Sequence, residues 1–307
     1  MIKRIIAVLL CVILSFALAS CAVNPTAEKE ENDNKADTAL VFDAFDMAYS
    51  SYDASTVSAY SDLCSAVYNG ETEVRMNVGM FNDVLQLFYT SYPLNVLVGN
   101  IAKKEDKSGI TIEYKQSTEE TVAKSKAFSD KVNQILDECG AGKVNNKAFA
   151  VKAYNYVAKN VKSSDKDGLT AYDTIMTGEG DSFTASNMLE YLLRQGGVKS
   201  AHILATDYSG AGWGVTLAEL DNVNYLFDPM TEQIANGGTQ LCYFGMTNEE
   251  AKAEGLNELV YTNRSTVPVC DNPYFDSCRN SKAWEMSEDG NSLLITKNDD
   301  NIVEIAL

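Results

Sequence analysis

The stretch from Thr177 to Met230 constrains the fold more than any other part of the chain. Gly178, Glu179, Gly180, Asp181, Ser182 and Phe183 lead into an apolar helical pattern that runs from Ala185 to Arg194. Gly196 and Gly197 stop that helix, and Ser200 to Ala205 reads as a strand. Gly210 to Leu217 follows, then Asn224, Tyr225, Leu226, Phe227, Asp228, Pro229 and Met230.

This succession resembles the core of the transglutaminase-like family, which shares its catalytic arrangement with papain-like cysteine proteases. The resemblance covers residues 145–250 well and the flanks loosely. It implies an α+β fold, with helices packed on an antiparallel sheet. It also implies a Cys–His–Asp triad, and here the chain departs from the pattern. Ser182 stands where the family carries its nucleophilic Cys. Ala211, two residues before Trp213, stands where the family carries His. Only Asp228, before Pro229, keeps the expected residue type. Gly180 and Trp213 occupy the positions that border the family's cleft, where Trp213 is expected to pack beside the nucleophile.

In such enzymes the helix N-terminus stabilises a thiolate and the oxyanion formed on attack. The His acts as base and acid, and the Asp orients it. A serine hydroxyl needs a base even more than a thiol does, and Ala211 supplies none. Loss of two members of a cooperative triad leaves only binding and oxyanion contributions. The expectation is therefore a non-catalytic domain. His202, the single histidine of the chain, offers one rescue, a repaired set of Ser182, His202 and Asp228. Alternation puts Ala201, Ile203 and Ala205 on one strand face and His202 and Leu204 on the other, without saying which face meets Ser182. The structural reading of Asp228 is a carboxylate that caps a turn or accepts backbone N–H groups. Gly180-Asp181-Ser182 also looks like the nucleophile block of some lipases, but those need a later Asp-x-x-His, and no His follows position 202. Gly178-Glu179-Gly180 lacks the spacing and the Lys of a phosphate loop.

The N-terminus reads as an address. Lys3 and Arg4 precede the apolar run Ile5 to Leu14, and Leu18-Ala19-Ser20-Cys21 closes it. The pattern matches a bacterial lipobox, so residues 1–20 are expected to be removed and Cys21 to carry the acyl chains, palmitate among them. The expected location is the outer side of the cell membrane, with the bilayer as a partner through Cys21. Residues 21–38 are polar and lack aromatics, as a disordered tether would. The formal net charge of −18 becomes −20 once Lys3 and Arg4 leave. Such acidity argues against nucleic-acid binding, which relies on Lys and Arg. A peptide, a glycan or an envelope protein is the expected class of partner for the cleft.

Seven cysteines become five after Cys11 leaves and Cys21 is acylated, so no complete disulfide framework is possible. Cys270 and Cys278 flank a turn-rich segment that could close as a local loop, and the other thiols read as small buried apolar residues. A single His and no Cys-x-x-Cys pair make a zinc site or other metal cofactor unexpected.

Along the chain, residues 39–116 read as a small helix-and-strand module, 117–250 as the transglutaminase-like domain and 251–307 as a β-rich extension. Within the first, 39–69 is predicted helical, with Val41, Phe42, Phe45, Tyr49 and Tyr52 on one stripe and Val57, Tyr60, Leu63, Cys64 and Val67 continuing it. Strands are predicted at 71–78, 94–101 and 109–115, and a helix from Phe81 that stops before Pro93. Ser117 should start a long helix with an acidic first turn, ending near Gly140. A helix is expected over 146–161 and a terminal hairpin from residues 292–297 and 302–307.

Overall fold

A computed structural model describes residues 46–47, 51–206, 209–261 and 267–307. The described residues all belong to one compact unit. The expected signal segment, Cys21, the expected tether and Val41, Phe42, Phe45 and Tyr49 of the predicted first helix lie outside the described residues. Among the described residues no helix is long and apolar enough to cross a membrane.

The architecture is mixed α and β, with antiparallel sheets throughout except for one short parallel pair. Helix α1 (Ala54–Asn69) begins where Asp53 accepts a hydrogen bond from Thr56 N–H and ends at Gly70, which takes the left-handed conformation at φ 70°. This start is later than the apolar stripe predicts. Asp53 offers a side-chain cap that interrupts the stripe, and Asp46 sits instead in a β-bridge with Ser200. Strand β1 (Glu73–Arg75) pairs with β3 (Gly109–Tyr114), which also pairs with β2 (Val98–Lys103). Two predicted strands are shortened. Asn77 accepts from Gly79 N–H and turns the chain into a 3-10 segment, ending β1 early. Pro93–Leu97 is also 3-10 rather than strand, because proline has no N–H for a ladder and pre-sets a helical φ. Helix α2 (Phe81–Ser91) lies between them and stops before Pro93.

Ser117 caps α3 (Thr118–Cys139), whose acidic first turn carries Glu119 and Glu120, and Gly140 closes it. Helix α4 (Asn146–Asn160) follows, then β4 (Lys162–Ser163), α5 (Ala171–Thr177) and β5 (Glu179–Gly180). Helix α6 (Ser182–Gln195) is the hub of the fold. It packs on β6 (Ser200–Thr206) and β7 (Gly212–Leu220) on one side, and against α4, α5 and α7 (Pro229–Asn236) elsewhere. Leu189, Leu192 and Leu193 in α6 are fully buried. Each such side chain stabilises the fold by roughly 1.5–3 kcal/mol.

The main sheet has the order β8-β7-β6-β9, with β8 at Val223–Phe227 and β9 at Asn257–Tyr261. Its register pairs His202 with Thr216 and Leu204 with Gly214. Both faces are covered, and the register decides which is which. Ala201, Ile203, Ala205, Val215 and Leu217 pack with Met246, Ala251 and Cys270 on the face away from α6. His202 and Thr216 face α6. The return along the sheet is a bridge between Leu226 and Met246, followed by α8 (Asn248–Ala253). Strands β10 (Ser281–Met286), β11 (Ser292–Lys297) and β12 (Ile302–Ala306) make a meander whose last two strands are the expected hairpin. One cluster of buried side chains runs from Ala59 through Leu189 to Ile305, so all three sequence segments feed the same interior.

The suggested Cys270–Cys278 loop is not closed, and both thiols are free. They belong to separate apolar clusters, Cys270 behind the main sheet and Cys278 in the larger core. Cys64, Cys139, Cys270 and Cys278 are buried and Cys242 is half-buried.

Candidate functional site

The start of α6 brings the singled-out residues together around the upper edge of the main sheet. Asp181 is the N-cap. Its carboxylate accepts from Thr184 N–H at 2.8 Å, while its own N–H donates to Thr184 Oγ1 at 3.0 Å. This reciprocal box satisfies two orphan N–H groups and places a negative charge at the positive end of the helix. Gly180 precedes it because a side chain has no room there. An added Cβ would lie 2.6 Å from Thr184 Oγ1 and 2.8 Å from Thr174 Oγ1.

Ser182 is buried, at 5% exposure, and its Oγ accepts the Gly214 N–H at 3.2 Å. The contact is close because Gly214 has no side chain. A Cβ there would stand 2.5 Å from Phe183 Cα and 2.6 Å from the Ser182 carbonyl oxygen. Helix start and strand β7 thus touch backbone to backbone, the kind of approach that only glycine permits.

Asp228 is 1% exposed and holds three donors. Thr231 N–H donates to Oδ1 at 2.9 Å, Thr231 Oγ1 donates to Oδ2 at 2.6 Å, and Trp213 Nε1 donates to Oδ2 at 2.8 Å. Asp228 therefore caps α7 and anchors the indole that touches both apolar clusters. Burial pushes its pKa up, and the Thr231 and Trp213 hydrogen bonds oppose that rise. Ala211 is exposed, immediately before β7.

His202 faces α6, but one turn below Ser182. Its Nδ1 lies 2.6 Å from Ser186 Oγ, and Ser186 Oγ also donates to the Phe183 carbonyl at 3.1 Å. Both contacts are satisfied together when the neutral ring carries its proton on Nδ1. Part of the residue reaches the surface, yet the ring sits against α6, and burial lowers its pKa to about 4, with Asp181 pulling the other way. No hydrogen bond joins His202 to Ser182 or Asp228. The repaired triad is not assembled, because its three members answer to Ser186, Gly214 and Trp213 with Thr231. Ser186 is the partner that sequence reasoning missed. It sits four residues after Ser182, on the same stripe of the helix, and that spacing was the available signal.

A different part of α6 borders a cavity of about 380 Å³. Asp181, Phe183, Asn187 and Glu190 line it from α6, and Tyr89 and Asn95 line it from the end of α2 and the 3-10 segment after it. Glu190 is buried and pairs with Arg194 Nε at 2.6 Å, while Arg194 also reaches Asp46 at 3.2 Å and the Ser91 carbonyl at 2.7 Å. Burial, outweighing Arg194 and aided by the like charge of Asp46, raises the Glu190 pKa to about 8. The Glu190-x-x-x-Arg194 spacing inside an otherwise apolar helix was the only sequence sign of this cluster. Among the described residues no group of three or more His, Cys, Asp or Glu side chains could hold a metal ion.

No protein-family model matches the chain, and no curated protein is significantly similar to it. Among solved structures, a chain from Cytophaga hutchinsonii named, provisionally, as a cysteine protease is similar at a TM-score of 0.31 and 11% identity. The similar part is 47% of this chain and 55% of that one, and at this level it decides neither fold nor chemistry. What stands is a mixed α and β protein with antiparallel sheets, in which a capped helix meets the main sheet at Ser182 and Gly214.

Proposed function

We propose that this chain is a lipid-anchored protein on the outer side of the membrane whose transglutaminase-like domain binds a partner rather than turning over a substrate. The anchor rests on Leu18-Ala19-Ser20-Cys21 behind a short apolar run. One observation carries the non-catalytic reading: Ser182 has no base. The imidazole one turn away is bonded to Ser186, and the residue at position 211 is Ala. Two further features support it. Asp228 is fully occupied as a helix cap and indole acceptor, so it is not free to orient a base. The first turn of α6 is neutralised by its own Asp181 carboxylate, which disfavours a second negative charge there, whether thiolate or oxyanion.

The test is an assay of amide hydrolysis and transamidation on peptide pools with the purified protein and with Ser182→Ala. Background rates for both are expected. Turnover that disappears in Ser182→Ala would overturn this reading and favour a divergent amide hydrolase or acyltransferase using Ser182, His202 and Asp228.

A further inference from the structure

We infer that Asp46, Glu190 and Arg194 form a proton-linked latch that fastens the N-terminal arm to α6 and releases it as pH rises. The arm is the segment at Asp46 and Met47, on the side of α1 from which the chain runs back to Cys21. Its backbone bridges Ser200 at the start of β6, and Ser200 Oγ donates to the Glu190 carbonyl at 3.0 Å. The Asp46 carboxylate accepts from Arg194 Nη1 at 3.2 Å. Arg194 Nε lies 2.6 Å from Glu190 Oε1, and Nη2 donates to the Ser91 carbonyl at 2.7 Å. One guanidinium thus holds together the arm, its own helix and the end of α2. All three charged side chains are buried. Ser91 and Glu190 also border the cavity, so the arm and the cavity wall share one clamp. The latch is separate from Ser182 and does not depend on the binding reading above.

Charge balance makes the clamp sensitive to protons. A guanidinium stays charged, so two ionised carboxylates beside it would leave a net negative charge in a buried site, which is costly. One carboxyl therefore keeps its proton while the arm is docked. Burial raises the Glu190 pKa to about 8 against the pull of Arg194, and the like charge of Asp46 adds to the rise. Among the described residues, Arg194 and Asp46 are the charges that act on Glu190. The surroundings are neutral groups: Tyr60, Cys64 and Tyr68 from α1, Tyr92 from the end of α2, and Tyr191 from α6. Burial pushes the Cys64, Tyr92 and Tyr191 pKa values up, away from the range in which Glu190 titrates. When the arm leaves, the Asp46 charge leaves with it, and Glu190 ionises against Arg194 alone. Docking therefore takes up a proton. The arm is held most firmly below the arm-free Glu190 pKa, and that hold is lost as pH rises through about 8. Met47 packs on the apolar cluster behind the main sheet, a contact that does not titrate.

The experiment is hydrogen exchange of the full chain in detergent, read by mass spectrometry from about pH 6 to about pH 9 with intrinsic exchange rates divided out. Peptides covering Asp46 and Met47 are expected to open about tenfold more at the upper end than at the lower, one pKa unit of coupling being a factor of ten. Glu190→Gln keeps the shape and an acceptor for Arg194 but cannot ionise, so its arm should stay closed and indifferent to pH. Asp46→Asn removes the competing charge, so its arm should be looser at low pH and its profile flat. Infrared difference spectra give a second readout. A protonated-carboxyl band should disappear through about pH 8 in the wild type, be missing in Glu190→Gln, and shift to lower pH in Asp46→Asn. A flat wild-type exchange profile, a wild-type slope kept in Glu190→Gln, or a carboxyl band unmoved by Asp46→Asn would each overturn the inference. If Glu190→Gln does not fold, Asp46→Asn carries the test, and a wild-type slope there overturns it. Turnover lost in Ser182→Ala would break the non-catalytic reading and leave the latch standing.

Discussion

The sheet-facing and cavity-facing sides of α6 use similar residue types in opposite ways. Toward the sheet, Ser182, Ser186, His202 and Asp228 each have a partner within the protein, and those partners hold the helix to β7, β6 and α7. Toward the cavity, Asp181, Asn95 and Asn187 keep acceptor atoms that nothing in the described protein uses. A satisfied buried network rigidifies the fold and has little left to offer a substrate, whereas unused acceptors beside a void gain when a donor arrives. The side toward the sheet is thus built as a joint, and the side toward the cavity keeps acceptors that the described residues leave unused.

That contrast can be broken most sharply at the joint itself. Gly214→Ala places a Cβ within 2.5 Å of Phe183 Cα, and backbone cannot swing aside as a flexible side chain would. A loss of about 3 kcal/mol is expected in urea denaturation. An unchanged midpoint would mean that helix and strand are not held in this contact. Next comes Asp228→Ala, which removes the α7 cap and strands the Trp213 N–H. About 2–3 kcal/mol should be lost, whereas Asp228→Asn, which can still accept from Thr231 N–H, should lose less than half as much. If the two substitutions proved equally damaging, the negative charge rather than the cap would be what matters.

A third effect depends on pH. Burial lowers the His202 pKa to about 4 from an ordinary value of 6.5, so the unfolded chain takes up the proton first. Between those values the unfolded state binds more protons, and stability must fall as pH falls, by roughly 2 kcal/mol. His202→Gln should flatten that part of the profile, measured by denaturation at pH 6.5, 5.5 and 4.5. A wild-type curve with the same slope as the variant would place the imidazole in water rather than against Ser186. The smallest change is expected from Ser182→Ala, which removes one acceptor from Gly214 N–H and should cost about 1 kcal/mol or less, with no change in peptide turnover.

Much of this frame was legible in the chain. Ser117 with Glu119 and Glu120, and Gly196-Gly197 after the apolar run to Arg194, are local signals whose physics does not depend on neighbours, and α3 and α6 start and stop accordingly. The first half of the 94–101 strand was misread because apolar spacing alone does not distinguish a strand from a 3-10 turn, and Pro93 decided for the turn up to Leu97, while Val98 onward is strand. The reading of one helix running unbroken into residue 54 overlooked Asp53, a cap that starts α1 afresh. The candidate site was half legible. Ser182 at a helix start and Asp228 before Pro229 were found from order along the chain, but their hydrogen-bond partners lie up to 32 residues away.

The sequence by itself determined the strand alternation that sets His202 apart from Ile203, the glycines that allow close approach, the presence of Ser at 182 and Ala at 211, and the strongly acidic charge. Those properties belong to residue type and local geometry, and no neighbour can change them. Tertiary structure alone decided that His202 meets Ser186 rather than Ser182, that Cys270 and Cys278 part into separate cores, and that Asp181, Asn95 and Asn187 converge on one cavity. The reason is register. A two-residue shift of β6 against β7 would keep every side chain on its face and still move the imidazole by about 7 Å, past one turn of the helix. Only packing of the whole sheet against α6 selects among such settings.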